Sequence, residues 1–176
     1  MCINKLGRKH EDPSTVHLIG EFSEYISEKP RVAKYGNLGN IIVTITINKV
    51  PIGKTLIDLW EAINVMIVTT LEELQLKPLL RPTPTILELA DKTKVIPEGI
   101  LDDIIVTLAS WEYPVEFLVI HLRNPAKGHL VILGRPWLST TNAFIGCREG
   151  EMNISNGISM NKPTIYPPAQ LIIENL

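Results

Sequence analysis

Polar and apolar residues alternate over short distances in the middle of the chain. Residues Ile41–Ile47 end in alternating Thr and Ile, and this period of two predicts a partly buried β-strand. The turn-forming segment Asn48–Pro51 and the apolar run Ile52–Ile57 then predict a β-hairpin. Further segments have strand character, the last of them as a closing hairpin: Thr85–Leu89, Lys94–Leu108, Tyr113–Leu122, Leu130–Leu133 and Ala143–Ser155. Many short strands at close spacing indicate a closed or folded-over sheet.

Helical signals are few and short. Proline at position 136 favours the first turn of a helix over Pro136–Asn142, and Leu71–Leu76 also has helical character. A competing interpretation makes Asp58 the N-cap of a longer helix, Leu59–Leu76, because Glu61 follows at the spacing of a capping box. The β-branched residues between positions 65 and 70 argue against that helix. Periodicity alone leaves both interpretations open and favours the cap.

Turn-forming residues divide the chain into three parts. The dense run of Gly and Asn in Tyr35–Asn40 predicts the start of a domain, which leaves residues 1–37 as a linker or upstream segment. The predicted domain covers residues 38–157. Prolines punctuate the tail, residues 158–176, and we expect this tail to pack loosely or not at all.

Composition limits the kinds of function. Apolar residues make up 45% of the chain and charged residues 20%, which is typical of a globular domain with a real core. The formal net charge of −2 and the lack of a long basic block argue against nucleic-acid binding. No apolar run is long enough to span a membrane as a helix. Cys2 and Cys147 do not make a disulfide framework, so we expect a reduced, cytoplasmic setting.

No sequence pattern indicates a metal or a cofactor. His121 and His129 have no neighbouring Cys ligand, whereas a structural zinc site needs four convergent ligands. Phosphate-binding glycine loops and GxSxG nucleophile turns are missing from the sequence as well. We therefore expect neither a metal nor a cofactor.

Asp58 is the strongest candidate for chemistry, because it lies in the apolar segment Thr55–Trp60. Aspartic proteases use two carboxylates that share one proton. One acts as a base towards water and the other as an acid towards the peptide carbonyl. The chain offers one aspartate in such surroundings. A catalytic pair therefore requires a second copy of the chain, related to the first by a twofold axis.

Several segments form an ordered set of motifs: Gly53–Asn64, Leu87–Asp91, Pro97–Asp103, Tyr113–Val119, Ile132–Leu138 and Ala143–Gly150. Together they resemble the retropepsin-like aspartic protease domains of plant LTR-retrotransposon gag-pol polyproteins, and the resemblance covers about residues 38–157. It implies an all-β fold, a small closed barrel of the retropepsin or acid-protease type with one or two short helices. It also implies a homodimer that cleaves a polypeptide substrate.

The resemblance also implies the site residues. Asp58 would be the catalytic residue, one in each subunit. A hairpin would form the flap that covers the substrate, with residues Ala90, Asp91, Lys92, Thr93 and Lys94. Gly134 and Arg135 would brace the catalytic turn from behind.

The active-site turn, Leu59, Trp60, Glu61 and Ala62, departs from the family pattern. Trp60 stands where the family has glycine, and Glu61 stands where it has alanine. A large ring near the dimer axis predicts overpacking, which typically costs about 1–3 kcal/mol. Glu61 adds a negative charge close to the catalytic carboxylate. We expect Arg135 to pair with Glu61.

Two functions fit this pattern. The first is an aspartic endopeptidase domain of a retrotransposon polyprotein, impaired by Trp60 and Glu61. The alternative is a protease-like transposon remnant that no longer cleaves and serves as a dimerisation or peptide-binding module.

Overall fold

The computed structural model describes Lys34 and residues 38–89, 91–122 and 131–166. From residue 38 onwards the described residues belong to one unit of the chain, Tyr35–Leu176. The strands in the described part of the chain are β1 (Ile41–Ile47), β2 (Val50–Ile57), β3 (Val65–Ile67), β4 (Leu87–Glu88), β5 (Lys94–Val95), β6 (Gly99–Leu108), β7 (Trp111–Ile120), β8 (Val131–Leu133), β9 (Phe144–Gly146), β10 (Glu151–Ser155) and β11 (Met160–Asn161). The helices are α1 (Val68–Glu73), α2 (Arg135–Thr140) and a 3-10 turn (Lys77–Leu79).

Strands β1, β2, β8, β3, β7 and β6 follow one another in space and close into a barrel. A three-stranded sheet, in the order β11-β10-β9, and a two-stranded hairpin, β4-β5, complete the sheet structure of the described residues. Both α-helices are six residues long. The predicted all-β fold, a closed barrel with one or two short helices, is confirmed.

The first hairpin forms as its sequence pattern predicts. In β1 the side chains of Ile41, Val43, Ile45 and Ile47 are buried in the barrel, and Thr44 is exposed. Strand β2 pairs with β1 in antiparallel register. The two strands are joined at Asn48 and Lys49, both of which have positive φ. Two consecutive positive φ angles are typical of the tight turn that matches the right-handed twist of a hairpin.

Strand β8 lies between β2 and β3 and fixes the centre of the fold. It runs parallel to β2, where Ile57 pairs with Leu133, and antiparallel to β3, where Val65 pairs with Ile132. A strand with neighbours on both edges and side chains buried in the core is expected to be wholly apolar, as Val131–Leu133 is. Consequently β2 and β8 end side by side, and the residues that follow them meet.

The structure corrects the longest helix of the sequence analysis. Residues 59–64 form an irregular segment with bends, and β3 follows them, so the helix Leu59–Leu76 is wrong. Helix α1 begins only at Val68, and its N-cap is Ile67, which makes no side-chain capping bond. The capping interpretation of Asp58 fails because β3, which contains the β-branched residues Val65 and Ile67, pairs with β7 on one side and with β8 on the other.

Two further boundaries differ from the prediction. The single strand predicted over Lys94–Leu108 is divided into β5 and β6, and Pro97, which cannot donate a backbone hydrogen bond, lies in the gap. Helix α2 was predicted over Pro136–Asn142. It begins at Arg135, one residue earlier than predicted, and ends at Thr140, two residues earlier than predicted.

The tail packs more closely than predicted up to Tyr166. Ile165 is only 6% exposed and belongs to the core. Tyr166 exchanges two backbone hydrogen bonds with Ile42, at 3.0 and 2.6 Å, and β11 pairs with β10. Loose packing is therefore wrong for residues 160–166, and we propose that the domain extends at least to Tyr166. The predicted linker over residues 1–37 lies largely outside the described residues.

Gly99, at the start of β6, provides a test of this packing. An added Cβ would collide with the Arg81 carbonyl oxygen and approach Leu80 Cγ to 2.8 Å. We therefore expect Gly99→Ala to lower the free energy of unfolding by about 1–3 kcal/mol, measured by urea denaturation. The matched control is Gly53→Ala in β2, where an added Cβ lies 3.8 Å from Thr44 Oγ1. Equal effects of the two substitutions would contradict the close approach at Gly99.

Candidate active site

Asp58 follows β2 and is held by two hydrogen bonds. Its backbone N–H donates to the Leu133 carbonyl at 3.0 Å, which extends the pairing of β2 with β8 by one residue. Its Oδ1 accepts the backbone N–H of Trp60 at 2.9 Å. The residue is half-buried. The Asp58 carboxylate is thus fixed at the start of the turn Leu59–Ala62, because its Oδ1 is hydrogen-bonded to the backbone of that turn.

Arg135 fastens the turn through backbone carbonyls. Its own N–H donates to the Glu61 carbonyl at 2.9 Å. Its Nη1 donates to the Trp60 carbonyl at 3.0 Å, with a longer contact of 3.4 Å to that of Leu59. The predicted ion pair between the Arg135 and Glu61 side chains is wrong, because the guanidinium is directed to the peptide oxygens and no ion pair in the described residues joins the two side chains.

Gly134 lies so close to the turn that a side chain has no room. A Cβ at this position would collide with the Ile63 carbonyl oxygen and lie 2.7 Å from that of Glu61. The absence of a Cβ lets the end of β8 approach the turn backbone. Gly134 and Arg135 therefore both contact the turn that carries Asp58, from the side of β8.

Asn64 is a residue of the site whose role the sequence analysis missed. It is only 4% exposed. Its Oδ1 accepts the N–H of Gly134 at 2.9 Å, and its Nδ2 donates to the Glu116 carbonyl at 3.0 Å. One amide side chain thus ties the turn to β8 and to β7. The available signal was its place at the end of the motif Gly53–Asn64, a polar residue directly before the apolar run of β3.

Trp60 and Leu59 are directed outward from the turn. The Trp60 side chain is 88% exposed and Leu59 is 51% exposed. Trp60 does not adopt a positive φ, so the backbone of this turn does not require glycine at position 60. Within one chain the Trp60 ring does not crowd the core. A steric cost arises only where another molecule contacts the exposed surface of Leu59 and Trp60. Glu61 is half-buried, and Ala62 is exposed.

The predicted flap residues form the tip of the β4-β5 hairpin, apart from Ala90, which lies outside the described residues. Leu89 N–H donates to the Thr93 carbonyl at 2.9 Å, and Thr93 N–H donates to Asp91 Oδ1 at 2.9 Å. Lys92 has a positive φ of 64°. The hydrogen bond from the Thr93 backbone, with a further one from its side chain, lowers the pKa of Asp91. Asp91 and Lys94 are exposed like the rest of the tip.

A cavity of about 210 Å³ opens beside the carboxylate. Its lining combines apolar side chains with two polar residues: Gly39, Asn40, Ile41, Leu56, Ile57, Asp58, Leu59 and Trp60. Among the residues that the structure describes, no group of three or more His, Cys, Asp or Glu side chains is placed to hold a metal. No helix in the same part of the chain is long and apolar enough to cross a membrane.

Solved structures share this architecture. The retroviral protease-like domain of Ddi1 from Leishmania major superposes with a TM-score of 0.58 at 21% identity, over 75% of this chain and 98% of that one. The chain has the retropepsin fold. EIAV protease in complex with an inhibitor (TM-score 0.48, 16% identity, 65% and 99% of the two chains) is also similar. So is a retropepsin-like aspartic protease from Rickettsia conorii (TM-score 0.47, 17% identity, 65% and 82%).

No protein-family model and no curated protein sequence matches the chain. The likeness is therefore one of fold. Within the retropepsin fold, the described geometry brings Asp58, the turn Leu59–Ala62, Gly134 and Arg135 together, while the β4-β5 hairpin is a separate element.

Asn64→Ala tests the amide that ties the turn to the barrel. The substitution leaves the Gly134 N–H and the Glu116 carbonyl without their partner, and we expect it to lower the free energy of unfolding by about 2–4 kcal/mol. Asn156→Ala is the matched control, because the Asn156 side chain also makes two hydrogen bonds to the backbone, accepting the N–H groups of Ile158 and Ser159, but is exposed. We expect less than about 1 kcal/mol there. Equal losses would mean that burial of Asn64 adds nothing.

Acid should loosen the tip of the β4-β5 hairpin. Because the pKa of Asp91 is lowered in the folded chain, the ionised carboxylate stabilises the tip at neutral pH. This contribution is lost as the pH falls through that depressed value, below the ordinary aspartate pKa of about 3.9. The measurement is the NMR shift of the Thr93 amide from pH 7 to pH 2. Asp91→Asn, whose side-chain oxygen still accepts the N–H, should abolish the titration. A Thr93 amide that titrates with a midpoint above 4 would contradict the assignment.

Proposed function

We propose that this chain is a retropepsin-like aspartic endopeptidase domain of a retrotransposon polyprotein, impaired by Trp60 and Glu61. One observation carries the proposal. In a retropepsin fold, Asp58 stands where β2 ends beside β8, and the neighbouring turn holds its carboxylate by the Trp60 N–H. Among the residues that the structure describes, Asp58 is the one carboxylate in the lining of the 210 Å³ cavity.

The mechanism requires two chains. Each contributes one Asp58, and the two carboxylates, close together at a twofold axis, share one proton because both cannot ionise at such a distance. The ionised carboxylate takes a proton from a water molecule, and that water attacks the peptide carbonyl. The protonated carboxyl gives its proton to the carbonyl oxygen, which forms a tetrahedral gem-diol. The carboxyl that took the proton of water then passes it to the amide nitrogen, and the other carboxylate takes a proton from a gem-diol hydroxyl. The C–N bond breaks, an amine and a carboxylic acid leave, and one proton remains on the pair. Arg135 and Asn64 do not touch the reacting atoms in this scheme; they position the turn.

The β4-β5 hairpin supplies the place for an extended polypeptide. An extended substrate offers alternating backbone donors and acceptors, which an exposed hairpin can pair with. The tip residues Asp91–Lys94 are exposed, which supports their predicted role as a flap. The proposed substrate is therefore a polypeptide, in keeping with a domain that processes its own polyprotein.

The altered turn favours a second candidate function, a protease-like module that dimerises or binds peptides without cleaving them. A Trp60 ring that is 88% exposed stands two residues from the carboxylate. In a dimer, two Glu61 side chains join two Asp58 side chains near one axis, and like charges repel. The plant LTR-retrotransposon origin and the cytoplasmic setting rest on the motifs and the cysteine usage, and they belong to the same proposal.

The deciding experiment compares the parent chain with Trp60→Gly/Glu61→Ala on a peptide library between pH 4 and pH 7, with and without an aspartic-protease inhibitor. We expect the double variant to cleave about 10²-fold faster than the parent, because small displacements of reacting groups cost rates of that order. Adding Asp58→Asn to the double variant should abolish cleavage.

A matched control uses the other Trp-Glu pair of the chain, at the start of β7. Trp111→Phe/Glu112→Ala should leave the parent rate unchanged. If the double variant at positions 60 and 61 forms dimers in sedimentation yet cleaves nothing, the endopeptidase proposal is wrong and the binding module is favoured. Strong inhibitor-sensitive cleavage by the parent would contradict the impairment.

A further inference from the structure

The exposed Trp60 ring is unusual for a globular chain, because tryptophan is highly buried on average. Its backbone is nevertheless well fixed. The Trp60 N–H is bonded to Asp58 Oδ1, and its carbonyl accepts Arg135 Nη1. The ring therefore projects from a rigid support together with Leu59, which is 51% exposed. A rigid aromatic side chain loses little conformational entropy when it is buried against another surface.

The same chain has a cavity whose lining suits an indole ring. The cavity of about 210 Å³ beside Asp58 has an apolar wall formed by Ile41, Leu56 and Ile57. Asp58 and Asn40, which also line it, carry hydrogen-bond acceptors. An indole is a flat apolar body with one N–H donor, so an apolar wall with an acceptor at its edge fits it.

A twofold axis brings this ring and this cavity together. In an interface of this symmetry each chain presents both members of every contact. The cavity is formed by residues 39–41 and 56–60, and Trp60 itself lines it at the side of Asp58. An axis that passes between the two Asp58 side chains therefore brings each Trp60 close to the partner's cavity. We propose that each Trp60 ring docks into the cavity beside the partner's Asp58, which gives a dimer that occludes its own site. This inference rests on the homodimer of the proposed function.

Docking of the Trp60 ring is expected to strengthen dimerisation and to weaken peptide binding. The ring adds buried aromatic area to the dimer contact, so it strengthens dimerisation. It also occupies the space that a peptide side chain beside the scissile bond would use, so peptide and ring compete. Removing the ring should therefore weaken the dimer and, once the dimer is formed, strengthen peptide binding. A ring that only stabilised the folded chain would produce neither effect.

The first test follows Trp60 fluorescence across concentrations at which sedimentation shows monomer and dimer. We expect a blue shift and weaker acrylamide quenching that appear together with the dimer. Trp60→Phe should abolish both changes, and Trp111→Phe should retain them. A dimer whose Trp60 stays fully quenchable would overturn the inference. If the Trp60 ring becomes protected from acrylamide only when peptide is added, the peptide and not the partner chain covers the ring, and the inference is wrong.

The second test measures the two opposite effects. Trp60→Ala should raise the dimer dissociation constant about 30-fold, the size expected for a tryptophan at the centre of an interface. In an Asp58→Asn background, which cannot cleave, the same substitution should tighten peptide binding at concentrations where both proteins are dimers. Weaker peptide binding after loss of the ring would contradict occlusion.

Failure of the inference and failure of the proposed function are distinguishable. A chain that stays monomeric at every concentration overturns both, and sedimentation alone reveals it. Dimers that bind no peptide, with or without Trp60, contradict the endopeptidase proposal, and fluorescence then decides the docking by itself.

Discussion

The contact between Gly134 and the turn that follows Asp58 is the constraint on which the site depends. Strand β8 must enter between β2 and β3, and its end must pass within contact of the carbonyl oxygens of Glu61 and Ile63. Only a residue without a Cβ fits there. Once β8 is in place, the carbonyl of its last residue, Leu133, accepts the N–H of Asp58. Arg135, two residues after β8, then holds the turn through hydrogen bonds to the carbonyl groups of Trp60 and Glu61.

The buried amide of Asn64 makes this arrangement specific. A close approach of backbones leaves N–H and carbonyl groups away from water, and each unpaired group carries a desolvation cost of about 1–3 kcal/mol. Asn64 pairs two of them, from β8 and β7, with a single side chain. The turn is therefore held from one side by Arg135 and from within by Asn64, and neither bond involves the carboxylate itself.

Local pattern predicted the local parts of this fold and missed what depends on distant partners. The alternation in β1, the hairpin turn at Asn48 and the short helix after Gly134 follow from neighbouring residues. The helix proposed to start at Asp58 had the correct capping spacing, but Val65 of β3 pairs with Leu118 of β7 and with Ile132 of β8, which are 53 and 67 residues away, and that pairing outweighs the cap. The hydrogen-bond partners of Asn64 are similarly distant in sequence, so its role could not be predicted from the neighbouring residues.

The turn Leu59–Ala62 separates the demands of folding from those of the proposed catalysis. Trp60 has ordinary backbone angles and an exposed ring, so the fold does not need glycine at this position. Glycine is useful there only when a partner and a substrate must approach the carboxylates closely. A chain can therefore carry tryptophan here and keep the barrel, the braced turn and Asp58 in place. Selection on folding alone does not require glycine at position 60.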